Sequence, residues 1–201
     1  MPMVDIPAIV NNYLAAALRD QGHLLPYDTV VIAALGAPAD RNSTDAVVRW
    51  LKLYRVLRIK KRTHRPIARA ILSYACIAGN CPANLQGNAL LTAYDDLYLR
   101  IQKAAPKRKS GIKRDVMSLT SKALWCTSPD TVPIYDSRAL NAVLTLTKLS
   151  GFNVAQQIDY TSYIAMWYRL YSIAAPTINA ANLNGYPYHV RVFDKILWLI
   201  G

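Results

Sequence analysis

Apolar residues recur at intervals of three and four along most of this chain, and no alternation of period two persists for more than a few residues. That spacing gives each segment one apolar stripe on a helix and no apolar face on a strand, so it predicts an all-α fold. The pattern is plainest over residues 4–20, where Ile6, Ile9, Val10, Tyr13, Leu14 and Ala17 share a face and Gly22 is expected to end the helix. Residues 21–42 hold prolines and a short apolar island, and predict a loop with a short helix. Ser43, Thr44 and Asp45 offer a cap for a helix reaching about residue 63, and His64-Arg65-Pro66 breaks it and starts another. Further helices are expected over 84–104, around Lys122, over 137–149 with Gly151 as terminator, over 154–174, and from Tyr188 onward after a loop at 176–187.

A chain of 201 residues can bury one good core or two closely packed helical lobes. We expect a single compact domain, with possible sub-lobes 20–105 and 1–19 together with 106–201. No apolar run reaches the roughly 18 residues that a membrane span needs. The opening MPMVDIPAIV lacks a signal-peptide layout, so a cytoplasmic protein is expected, nucleoid-associated when bound, and we expect it to be a monomer. Cys76, Cys81 and Cys126 form no CxxC pair, and His23, His64 and His189 are dispersed, which predicts a site with no metal and no cofactor.

The net charge of +12, with a pI near 9.8, calls for an anionic partner, and nucleic acid is the commonest. Nine basic residues and no acidic one fall between Arg49 and Arg69. Arg49, Lys52, Arg55, Arg58 and Arg62 step by three or four into one stripe, which repels itself unless an anion covers it. A second cluster, with Lys107, Arg108, Lys109, Lys113 and Arg114, contains Gly111 and leads into the segment of Lys122. A basic loop that opens a helix offers a phosphate both side chains and backbone amides.

Lys122 is the only charged residue between Asp115 and Asp130, with Leu119, Trp125 and Cys126 at helical spacing. Its ammonium is expected to be partly desolvated, which favours the neutral, nucleophilic amine. Asp136 follows Pro133-Ile134-Tyr135 and precedes a helical pattern, so it is expected to cap that helix as a carboxylate able to stabilise a nearby cation. The chain has 13 Tyr and two Phe, a bias toward rings that stack on unpaired bases and hydrogen-bond at the edge, although most such rings pack helices.

Ser121-Lys122, Thr131-Val132-Pro133-Ile134 and Tyr135-Asp136-Ser137-Arg138 resemble the core of the helix-hairpin-helix DNA glycosylase superfamily, in its 8-oxoguanine glycosylase-like branch. Met117-Ser118-Leu119-Thr120 stands where that family carries a glycine-bearing hairpin, so the motif is degenerate. The resemblance implies a two-lobed helical glycosylase-like fold acting on duplex DNA with a flipped base, or on single strands. Lys122 would be the nucleophile and Asp136 the helper, with Ser118, Ser121 and Arg138 on the DNA. Tyr135, Trp167, His189, Asp194 and Trp198 would line a base pocket, although a surface ion pair with Arg191 or Lys195 is the plainer role for Asp194. Repair and anti-phage defence both fit. The alternatives are a catalytically inactive nucleic-acid binder of the same fold and a helical protein with an acidic protein partner.

Overall fold

The computed structural model describes residues 4–54, 63–77, 85–105, 115–154, 156 and 158–201. The protein is all-α: among the described residues there are eight helices and no strand. None of these helices is long and apolar enough to cross a membrane. The chain divides into two compact units, one contiguous, Pro26–Val132, and one assembled from Met1–Leu25 and Pro133–Gly201. The division falls at 25/26 and 132/133, rather than at the 19/20 and 105/106 edges expected from sequence. Residues 115–132 therefore belong with the helices before them.

The first helix, α1 (Ile6–Leu35), runs through both Gly22 and Pro26, where a helix end and a loop were expected. Proline removes one N–H and crowds the carbonyl four residues back. That residue is Gly22, which has nothing within 4 Å of the position a Cβ would take and can yield locally.

The contiguous unit takes the later turns of α1, then α2 (Arg41–Leu53), α3 (His64–Ile77), α4 (Gly87–Ala104) and α5 (Met117–Trp125), each of the last four packed on its neighbour in sequence. The cap of α2 is Asp40, not the Ser43-Thr44-Asp45 trio. Asp40 Oδ1 accepts from Ser43 N–H at 2.7 Å and from Ser43 Oγ at 2.8 Å, so Ser43 completes the cap as a donor. Those bonds hold the Asp40 carboxyl below its usual range. Buried Asp28 accepts from Trp50 Nε1 at 3.3 Å and Tyr54 hydroxyl at 2.6 Å, tying α1 to α2. Trp50, Ile67, Ile71, Leu90, Leu97 and Ile101 are fully buried, whereas Ala89, Asp95 and Asp96 are exposed.

His64, at the start of α3, is buried, and its Nδ1 has no hydrogen-bond partner among the described residues. Burial first, and then the charge of Lys52, lowers its pKa. The unfolded chain therefore binds a proton here at a pH where the folded one does not, and stability is lost as pH falls through about 6.5 toward the lower folded value. Taking the protein from about pH 7 to about pH 5 is expected to lower its unfolding midpoint, and His64→Gln is expected to flatten that slope in a thermal melt series.

In the other unit, α6 (Ser137–Leu149), α7 (Tyr160–Ala180) and α8 (His189–Ile200) pack on one another, and the early part of α1 joins them through Lys195 to Asp20 at 3.0 Å. The bounds of α6 are those expected. Gly151 takes φ +73°, and the Gly151 and Phe152 N–H groups close the helix on Lys148 and Thr147 carbonyls, a turn that needs a residue free of a Cβ. Helix α7 lies six residues later than its apolar pattern suggested. Asp159 caps it through Ser162 N–H at 2.7 Å, and Pro176, read as a stop, sits inside it with Ala174 and Ile178 buried on either side.

Candidate functional site

Lys122 lies in the second turn of α5, whose residues from Leu119 to Trp125 are all buried. The lysine is 8 % exposed, and its Nζ donates to Ser118 Oγ at 2.8 Å, one helical turn back. Ser121 Oγ in turn donates to the Ser118 carbonyl at 3.1 Å, and Asp115 Oδ1 accepts from Met117 N–H at 2.9 Å. The spacing of apolar residues around Lys122 thus produces the burial it implied, with a hydroxyl holding the amine in place.

Asp136 is the cap of α6 and accepts from Arg138 N–H at 3.0 Å. Its position is set by a clamp on the two residues before Tyr135. Tyr160 hydroxyl donates to the Pro133 carbonyl at 2.9 Å, Tyr163 hydroxyl to the Ile134 carbonyl at 2.8 Å, and Ile134 N–H to Asp194 Oδ2 at 3.0 Å. The other Asp194 oxygen accepts from Trp167 Nε1 at 2.9 Å. Burial first, then Asp194 and Tyr160, raises the Tyr163 hydroxyl well above its usual range, so it stays a donor at any physiological pH. Every polar group of the Ile134 backbone is therefore held by a side chain from α7 or α8.

This arrangement decides several candidates. Asp194 is 2 % exposed and Trp167 fully buried, so Asp194 is a core strut, not a surface ion-pair partner. Tyr135 packs edge-on against Tyr163, 5.1 Å between centroids, and is half-buried beside Asp136. Arg138 lies 4.2 Å above the Trp198 ring, and Lys195 Nζ lies 3.6 Å from the same ring. His189 Nδ1 meets Asn179 Oδ1 at 2.6 Å. Lys122 and Asp136 belong to different units, the former to Pro26–Val132 and the latter to the discontinuous one.

Of the basic stripe, Arg49 and Lys52 are exposed on α2, while Arg55, Arg58 and Arg62 lie outside the described residues, as do Lys107, Arg108, Lys109, Lys113 and Arg114. Among the described residues, no three His, Cys, Asp or Glu side chains gather to hold a metal. The Tyr160–Tyr163–Asp194 clamp was missed from sequence, although one signal was available. Asp194 stands at helical spacing from Val190 and Leu197, and a carboxylate on a buried face must be bonded.

Asp136→Ala removes the cap and is expected to cost about 1 kcal/mol, read as a shift in the urea midpoint, whereas Asp136→Asn keeps the cap and is expected to stay close to wild type.

Compared with protein-family models, curated proteins and solved structures, the chain matches none.

Proposed function

We propose that the protein is a DNA N-glycosylase, with Lys122 as nucleophile and Asp136 as the carboxylate that stabilises positive charge on the sugar. The observation that carries this reading is the buried amine of Lys122, held by Ser118 on a helix whose residues from Leu119 to Trp125 are all buried. The clamped, helix-capping Asp136 and the net charge of +12 add to it.

The target nucleotide must leave the stack before its C1′ is accessible. Neutral Nζ then gives its lone pair to C1′, the C1′–N bond breaks, and the base departs with that bond's electrons and takes up a proton. The attached nitrogen then loses one proton, its lone pair expels O4′, which takes the C1′–O4′ electrons and a proton, and the protonated imine left behind is reduced by borohydride to a stable amine. The Asp136 carboxylate lowers the energy of the cationic sugar in between. A panel of duplex and single-stranded oligonucleotides carrying different modified bases, treated with alkali and with borohydride, tests the reading. Asp136→Asn is expected to lose excision while keeping its fold, which separates the charge from the cap.

A second reading, a nucleic-acid binder of the same ancestry without catalysis, draws on one observation. Met117–Thr120, at the place of the family's glycine hairpin, form the first turn of α5. A wild-type protein that shifts labelled DNA yet leaves every modified base and abasic site intact favours this reading.

A further inference from the structure

A cleft of about 560 Å³ lies where the start of α2 meets α3, and three arginines line it: Arg41 from α2, and Arg65 and Arg69 from α3. Ser73 continues the α3 row, since residues 65, 69 and 73 are successive turns of one helix face. None of these residues belongs to the Lys122 or Asp136 assembly. We propose that this cleft is a phosphodiester site that grips the backbone of a nucleic acid.

The guanidinium of Arg65 is already oriented. One of its terminal nitrogens donates to Asp45 Oδ1 at 2.8 Å, and Arg41 Nε lies 4.0 Å from the other Asp45 oxygen. A guanidinium carries five N–H donors, so a single bond to a carboxylate fixes the side chain and leaves the rest of the fork for a ligand. Arg69 is exposed and makes no ion pair or hydrogen bond among the described residues.

The charge balance selects the ligand. Three guanidiniums face two carboxylates, Asp40 in the lining and Asp45 beside it, and Asp40 stays ionised because Ser43 bonds it. One net positive charge suits a singly charged phosphodiester better than a phosphate dianion. The helix N-terminus itself contributes little, because Asp40 occupies it. Exposed Arg49 and Lys52 extend the cationic side of α2 to about 16 Å from Arg41 along the axis. An isolated phosphate has no use for that extension, whereas a polymer does.

The test is anisotropy of a short labelled DNA duplex, with salt taken from about 50 to about 200 mM, on the full chain and on Arg69→Gln. The variant is expected to bind several-fold more weakly, equally on unrelated sequences, and to flatten the slope of log affinity against log salt by about 0.9, the value of one lost phosphate contact. Arg69→Lys is expected to restore the slope but not the full affinity, because it keeps the charge and loses the planar fork. Circular dichroism shows whether each variant folds, and Arg41→Gln offers a second exposed position. Slopes that stay at the wild-type value in both Gln variants overturn the assignment. So does an unchanged slope accompanied by loss of binding to anionic phospholipid vesicles, or by loss of a phosphate-induced rise in the unfolding midpoint. The inference does not rest on Lys122: a protein that cuts no DNA yet shows the flattened slope keeps it and loses the glycosylase reading.

Discussion

Lys122→Gln is expected to yield a folded protein that forms no borohydride-trapped adduct with DNA and excises bases at least about 1,000-fold more slowly. Glutamine can still bond Ser118 Oγ, the partner that Lys122 holds at 2.8 Å, so the first turns of α5 have no reason to unravel. Its amide nitrogen has no lone pair to give to C1′. Lys122→Arg sharpens the result, because it keeps a positive charge that is never shed at physiological pH. If charge alone placed the DNA, arginine would preserve activity. If the amine attacks, both variants are inactive. A trapped adduct that survives in either variant assigns the nucleophile elsewhere and ends the proposal.

Asp194→Ala is expected to produce the largest loss of stability of any single change considered, about 3–5 kcal/mol. Both carboxylate oxygens take buried donors, Ile134 N–H at 3.0 Å and Trp167 Nε1 at 2.9 Å. Bonds to a charged acceptor are worth about 1.5–3 kcal/mol each, and alanine leaves both donors buried without it. Urea unfolding followed by tryptophan fluorescence reads the loss. Asp194→Asn keeps the volume but turns an N–H toward one of those donors, so it is expected to fall between wild type and alanine. A midpoint for Asp194→Ala within about 0.5 kcal/mol of wild type would show that the clamp holds nothing. The same change is expected to disturb Asp136, since the pinned Pro133–Ile134 pair leads directly into it.

These two positions also show where the sequence was legible. The burial of Lys122 and the cap at Asp136 follow from neighbours three or four residues away, and local spacing disclosed both. The bounds of α6 and its glycine stop were local in the same sense. The clamp was not, because its bonds reach across 27 to 60 residues of chain. Prolines misled twice. Pro26 and Pro176 read as breaks, yet each sits inside a helix whose buried side chains outweigh one missing N–H. Asp40 was overlooked as a cap because the Ser-Thr-Asp run after it gave a stronger local signal than one aspartate before an arginine. The fold class was legible because it needed only the periodicity. The pairing of distant groups needed the fold.

The division of the chain has a consequence for its synthesis. All of Pro26–Val132 leaves the ribosome ahead of α6, α7 and α8, so the interior unit can complete itself first. The opening turns of α1, with Ile6, Val10 and Ala17 buried in the finished protein, must wait for partners translated later, roughly 5–20 s at ordinary elongation rates. During that interval an apolar stripe at the amino end stands uncovered, which makes the nascent chain a natural client for a holding chaperone.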